Sequence, residues 1–242
     1  MNTLVVGASG ATGRLLVAQL LERGHNVRVI VRSPEKLPET LRRHENLSVV
    51  RSSPLDLNDA ELVQHVSGCN AVASCLGHSM SFKGLFGHPR RLVTETTRRL
   101  CNALKMSAPA KPVKFVLMNT AGNSNRDLNE SVSQGQKVVI ALLRRLLPPH
   151  ADNEEAADYL RTEIGQNDKA TEWVAVRPDG LTNEDGVTDY EVYASPTRSA
   201  IFNAGQTSRI NVAHFIADLI TDEAIWRRWK GQMPVIYNQG SA

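Results

Sequence analysis

Gly7, Gly10 and Gly13 stand three residues apart in VVGASGATGRLL, between an apolar run and an amphipathic one. A strand that ends in such a turn and enters a helix gathers free backbone N–H groups and the positive end of a helix dipole at one spot. That arrangement favours a phosphate or pyrophosphate. Gly7 permits the tight turn, Gly10 lets a ligand approach the backbone, and Gly13 lets the helix pack closely on the strand. The spacing is GxxGxxG rather than the commoner GxGxxG. Its place after LVV and before an amphipathic helix makes dinucleotide binding the expectation, with a plain structural turn as the alternative. The second chemistry-bearing feature is Arg32-Ser33, which ends the run VRVIV. Folds selective for NAD carry an acidic residue about 20 positions after the glycines, to bond the ribose 2′-OH. Here no carboxylate occurs before Glu35. A guanidinium at this place suits a 2′-phosphate through charge-assisted bonds, and Ser33 adds a donor and can cap the helix that Pro34 opens. NADP(H) is therefore the expected coenzyme and NAD(H) stays open, the duller account of Arg32 being a solvated loop charge.

Short β-rich runs alternate with helix-period segments, without internal repeats or low-complexity tracts, which is the pattern of a parallel sheet covered on both faces. Strands are expected over residues 3–6, 27–31, 47–50, 71–76, 113–118, 173–176 and 235–237. The periodicity predicts a helix over 11–23 ended by Gly24, and another after Asn58, which with Glu61 can form a cap. Further helices are expected over 90–106, near 136–147, around 154–163 and over 212–220, the last capped by Asn211. Pro148 and Pro149 read as a break between two helices. The expected architecture is one doubly wound, Rossmann-like α/β domain over residues 1–242. Its substrate cleft would be formed by loops 77–90, 119–135 and 178–210, at the carboxyl edge where ligands bind in such sheets.

The chain's 242 residues suit a single domain with a sizeable core. Hydrophobic residues make up 41% and charged ones 22%, and the net charge is only +3, which gives no electrostatic case for nucleic acid or an acidic membrane surface. No apolar stretch approaches the ~18 residues of a membrane span. The first strand leaves no room for a signal peptide, and three cysteines, Cys69, Cys75 and Cys101, without a CxxC pair point to a reduced cytoplasmic setting. Seven histidines show no close ligand spacing, so no metal site is expected. The Arg-Arg pairs at 90–91, 98–99 and 144–145 read as solvated helix faces, and the apolar 138–147 segment as core or a dimer interface, leaving monomer and homodimer open.

The GASGATG turn resembles that of the extended or atypical short-chain dehydrogenase/reductases, particularly the NAD(P)-binding proteins similar to biliverdin-IXβ reductase, flavin reductases and NmrA-like regulators. The resemblance covers most of the chain and implies roles for further residues. Ser9, Ala11 and Thr12 would lie beside the pyrophosphate, the two hydroxyls as donors. Asp56 would accept from the adenine amino group and Leu57 touch the ring; a turn Asp bonding its own backbone is the alternative. Cys75, Leu76 and Gly77 would line the nicotinamide half, Gly77 letting the backbone pass close to the ligand, with Cys75 as a packing residue. In Met118-Asn119-Thr120-Ala121, Asn119 would join the coenzyme site and Thr120 would bond the nicotinamide carboxamide or the substrate, unless it only caps a turn. Arg177-Pro178-Asp179-Gly180-Leu181 resembles that group's coenzyme loop, placing Pro178 and Gly180 at the site, and RINVAHFIADLI resembles its C-terminal helix, which makes His214 structural.

The Tyr-x-x-x-Lys pair of ordinary short-chain dehydrogenases is missing, since Tyr159, Tyr190, Tyr193 and Tyr237 have no lysine at that spacing. The loop 78–88 carries two Phe, a Met and two His, and would be either a lid over a flat conjugated substrate or a packed-down connection. Thr120 and His78 are the candidate catalytic residues, a histidine suiting proton transfer near neutral pH and solvent being the other proton source. The leading expectation is an NADPH-preferring reductase of a flavin, quinone or similar conjugated small molecule. The alternatives are a non-catalytic NADP(H)-sensing regulator of the NmrA-like kind and, behind it, an epimerase or isomerase.

Overall fold

The structure is a computed structural model and describes residues 1–78, 87–128 and 147–240, with residues 130, 135, 139 and 142 placed individually. In chain order, β1 (Asn2–Val6) leads through the glycine turn into α1 (Ala11–Glu22), which Arg23 and Gly24 end, Gly24 at φ 76°. Then come β2 (Asn26–Val31), the short α2 (Glu39–Arg42), β3 (Leu47–Arg51), α3 (Asp59–Val66) and β4 (Ala71–Ser74). Next are α4 (Leu92–Met106), β5 (Val113–Met118), α5 (Pro148–Tyr159) and β6 (Thr171–Pro178). The chain closes with β7 (Gly180–Thr182), β8 (Tyr190–Tyr193), β9 (Gln206–Ser208), α6 (Arg209–Thr221), α7 (Glu223–Trp229) and β10 (Val235–Asn238).

Eight strands form one sheet in the order β3-β2-β1-β4-β5-β6-β10-β8, parallel except at the β8 edge, while β7 and β9 pair separately. Successive strand residues point to opposite faces. Val5, Val27 and Val29 therefore join α1 and α6 in one buried cluster, whereas Leu4, Val72 and Phe115 join α3, α4 and α5 in the other. The strand order reverses between β1 and β4, and the carboxyl edge beside such a reversal is where doubly wound sheets bind ligands. The expected Rossmann-like α/β fold is the one observed.

Asn58 and Glu61 form the expected reciprocal cap of α3. Other expectations need correction. Ser208, not Asn211, caps α6, because the chain reaches Asn211 one turn into the helix; the Asn211 amide instead donates to Asn238 and Thr188. Pro148 and Pro149 do stand at a break, with the helical positions 139 and 142 before an extended Leu147, but they themselves open α5, where a proline's missing N–H costs nothing. The segment 154–163 is accordingly part of a longer unit, α5 followed by a π turn over Leu160–Ile164. β4 stops at Ser74, β6 extends beyond 173–176 at both ends, and α4 starts at Leu92. β7, β8, β9 and α7 had no expectation at all. Most of the helix expected near 136–147, the Arg-Arg pair at 144–145 and the loop residues 79–86 lie outside the described residues.

Candidate functional site

The carboxyl ends of six strands bring the proposed residues to one edge: the glycine turn after β1, Arg32 and Ser33 after β2, Asp56 and Leu57 after β3, Cys75 to His78 after β4, Asn119 and Thr120 after β5, Pro178 to Gly180 at the end of β6. Gly7 sits at φ 78°, and a Cβ on it would lie 2.5 Å from the Cys75 carbonyl and 2.7 Å from Leu76 N. The segment leaving β4 thus crosses directly over the turn. A Cβ on Gly13 would lie 2.2 Å from Gly7 O, so α1 is seated against the turn itself. Gly10 closes the turn by donating its N–H to Gly7 O at 3.0 Å.

Gly10 is also the first residue flanking α1, and it has no side chain to cap the helix. Among the described residues no acceptor takes the N–H of Ala11, Thr12 or Gly13, and the first turn carries no acidic side chain. Three orphan donors at the positive end of a helix fit a diphosphate. Ser9 is half-buried beside them and Thr12 is buried.

Arg32 is exposed and has no hydrogen bond or ion pair among the described residues. Glu35, the nearest following carboxylate, leans instead toward Arg51 at 3.9 Å. Ser33 precedes a single turn over Pro34–Lys36 but its hydroxyl does not cap that turn's backbone. Asp56 is exposed, with its own N–H held by Ser53 O at 3.0 Å, and Leu57 is buried in the core. The loop bearing both is held by a residue read as a solvated charge. Arg99 on α4 donates to the carbonyls of Pro54, Leu55 and Leu57 and to Asp59 Oδ1. Arg98 lies over the Tyr159 ring at 5.4 Å. An Arg-Arg pair gives no sign in sequence of which loops it will reach.

After β4, Leu76 is half-buried, Gly77 is open with no atom within 4 Å of an added Cβ, and burial pushes the Cys75 thiol up to about 12. Cys75 is a packing residue. His78 turns inward: its side chain is 5% exposed, and its Nε2 lies 2.7 Å from Asp152 Oδ2. Asp152 is itself buried on α5 and accepts the N–H groups of Val93 and Thr94 at 2.8 and 2.9 Å, so it caps α4 from a neighbouring helix. Sequence reasoning missed this residue, for no local spacing links position 152 to position 93.

Burial disfavours the Asp152 carboxylate, but bonds from His78, Thr94 and Val93 outweigh it and hold its pKa below the ordinary value. A depressed carboxyl stabilises the fold above its unfolded pKa and loses that contribution as pH falls through the folded value. Asp152→Asn is therefore expected to destabilise the protein at pH 7 by about 2 kcal/mol. Denaturant melts of both proteins should converge as pH drops below the ordinary carboxylate range; a constant gap down to acid pH contradicts this role.

Asn119 is buried and internally engaged, donating to Asn153 O at 2.8 Å and accepting the Thr120 N–H at 2.8 Å. Thr120 is half-buried, and its Oγ1 accepts the Gly122 N–H at 3.3 Å. Pro178 O accepts the Ala121 N–H at 2.8 Å, and Gly180 pairs with Gly205 where a Cβ would lie 3.0 Å from Gly205 O. Between them, burial raises the Asp179 pKa although its Oδ2 accepts the Gly205 N–H at 2.8 Å. Arg177, next to this loop, is completely buried and bonds Glu130 and three carbonyls. His214 has Nδ1 3.1 Å from Asp218 Oδ2 and 2.9 Å from the Tyr190 hydroxyl, inside the α6 packing.

No helix among the described residues is long and apolar enough to cross a membrane. Over 132 residues the chain is 32% identical to cinnamoyl-CoA reductase 2 of Medicago truncatula, a match that takes in 52% of this chain and 37% of that protein's length. Its fold is that of a Veillonella parvula short-chain dehydrogenase/reductase solved in complex with NADP (TM-score 0.72, 19% identity, 99% of this chain and 95% of that one). It is also that of a candidate NADH-flavin reductase from Streptococcus pneumoniae (TM-score 0.66, 16% identity, 99% and 100%). A family model described as NAD(P)H-binding matches residues 7–223, which contain the glycine turn and the carboxyl ends of β2 to β6, and the chain belongs to that NAD(P)H-binding family.

Proposed function

We propose that this protein is an NADPH-preferring reductase of a flavin, quinone or similar conjugated small molecule. The observation that carries the reading is the pairing of an uncapped α1 N-terminus with the unpartnered, exposed Arg32 one strand away. Ala11, Thr12 and Gly13 would give their N–H groups to the diphosphate, with Ser9 and Thr12 adding hydroxyls. Arg32, with Ser33, would bond a 2′-phosphate, and Asp56 and Leu57 would hold the adenine. Leu76, Gly77 and Thr120 would border the nicotinamide half, with the Cys75, Pro178 and Gly180 backbones shaping it and Asn119 fixing Thr120 from behind. The bound coenzyme supplies hydride chemistry. The loops 77–90, 119–135 and 178–210 would hold the acceptor flat against it, and orientation alone lowers such a barrier by several kcal/mol. His78 Nε2 lies 2.7 Å from Asp152 Oδ2, and its ring would be held by that buried carboxylate rather than offered to the acceptor.

The engagement of His78 and Asn119 in internal bonds, beside a missing Tyr-x-x-x-Lys pair, favours a second reading, a non-catalytic NADP(H) sensor. Purified protein given NADPH and a panel of flavins and quinones separates them. Loss of absorbance at the reduced nicotinamide band with at least one acceptor is expected. Tight binding with no consumption on any acceptor would leave the sensor.

A further inference from the structure

Two titratable side chains at the carboxyl edge have no part in the arrangement above. His150 stands on the first turn of α5 and Glu154 one turn later, on the same face, with His150 Nε2 3.7 Å from Glu154 Oε1. Both are largely enclosed, at 12% and 8% side-chain exposure. Burying a carboxylate and an imidazole together is costly unless the charges compensate. The pair is set against the segment after β5. A Cβ built on Gly122 would lie 3.5 Å from His150 Cε1 and 3.7 Å from Thr120 Oγ1, so the imidazole and the hydroxyl border the same glycine. That placement is held by bonds on either side: Asn119 Nδ2 donates to Asn153 O at 2.8 Å, and Asn153 Nδ2 donates to Pro149 O at 3.0 Å. Of the other α5 carboxylates, Asp152 is engaged by His78 and by α4, Glu155 pairs with Arg91 and Asp158 with Arg126, so Glu154 is the one beside His150.

We propose that His150, balanced by Glu154, is the proton donor of this site and that Thr120 lies between it and the acceptor's heteroatom. The inference rests on the reductase reading. The acceptor takes an electron pair as the hydride that a reduced nicotinamide coenzyme supplies. The Thr120 O–H bond breaks as an O–H or N–H bond forms on the reduced acceptor, and Thr120 Oγ1 regains a proton as an N–H bond of the His150 imidazolium breaks. The imidazole is left neutral, and water restores its proton. Glu154 acts as a positioning residue, favouring the charged ring before transfer. Only an acceptor with a carbonyl oxygen or imine nitrogen conjugated to the hydride-accepting atom uses such a donor, which is the chemistry of quinones and of the flavin ring.

The test uses full-length protein with NADPH and menadione or FMN as acceptor. His150→Gln is expected to lower kcat about 100-fold, while NADPH affinity, read by quenching of protein fluorescence, stays within about threefold. Glu154→Gln is expected to lower kcat less and to shift its pH dependence to lower pH. In wild-type protein labelled at histidine, the His150 ring resonances should move on adding oxidised FMN or menadione. Turnover by the wild type with an unchanged rate in His150→Gln, or a His150 signal indifferent to both acceptors, overturns the proton-donor assignment and leaves the reductase reading standing. Absence of wild-type turnover with every acceptor overturns both. If His150→Gln does not fold, the Glu154→Gln profile and the wild-type resonances decide.

Discussion

Gly13→Ala is expected to weaken NADPH binding by about 100-fold or more while leaving a folded protein. The added Cβ would lie 2.2 Å from Gly7 O, 2.9 Å from Gly7 C and 3.0 Å from Ala8 Cα, all of them backbone atoms that no rotamer change can clear. α1 must therefore slide away from the turn, at a cost of about 1 to 3 kcal/mol in packing. The same slide moves the N–H groups of Ala11, Thr12 and Gly13 off their common focus. Each charge-assisted bond to phosphate contributes about 1.5 to 3 kcal/mol, so misplacing two of them suffices for the loss. Gly186→Ala is the control, since nothing lies within 4 Å of its added Cβ. Fluorescence or calorimetric titration of the two variants checks the claim, and near-wild-type affinity in Gly13→Ala contradicts it.

Arg177→Ala is expected to cost about 3 to 5 kcal/mol of stability at pH 7. The guanidinium is wholly enclosed, and it donates to Met233 O at 2.6 Å, Asn123 O at 2.8 Å, Ala194 O at 3.1 Å and both oxygens of Glu130. It joins β6 to the segment after β5, to the strand-end loop before β10 and to the chain leaving β8. Its removal leaves Glu130, 4% exposed at the side chain, as a buried charge without its counterion, and three carbonyls unsatisfied. Lysine cannot substitute, having no planar fork to reach five acceptors. Replacing the pair together by Met and Leu should recover much of the loss, because two apolar side chains leave no orphan charge. Urea denaturation of the single and double variants is the measurement; a single-variant loss below about 1 kcal/mol would mean that the network is not what holds these segments together.

The two predictions mark where local sequence is and is not informative. The Gly7, Gly10, Gly13 turn was legible because a positive φ and two sub-contact approaches admit only glycine, so the chemistry is written in residue type. Asn58 with Glu61 was legible for the same reason, a cap being complete within four residues. The alternation of short β-rich runs with helix-period segments gave away the covered sheet, in which Leu4 and Val6 face one core and Val5 the other. Arg177, Asp152 and Arg99 were not legible, because their partners lie between 40 and 59 residues away for most of their bonds and nothing local distinguishes them from solvated charges. His78 is the instructive case at the site. Its place after β4 suggests a proton donor, and its 2.7 Å contact to the buried Asp152 is one that nothing near position 78 announces. His150, by contrast, sat in a stretch read as a helix break, where Pro148 and Pro149 masked a helix start. The short strands β7 and β9 went unread since three residues carry no period.

Calorimetry of NADPH and NADH binding to the unmodified chain and to Arg32→Ala tests the central claim most directly. An unpaired guanidinium at the end of β2 should make NADPH bind at least about 10-fold more tightly than NADH, and the variant should lose that preference while keeping its affinity for NADH. Failure of both coenzymes to bind, or a preference that survives in Arg32→Ala, would contradict it.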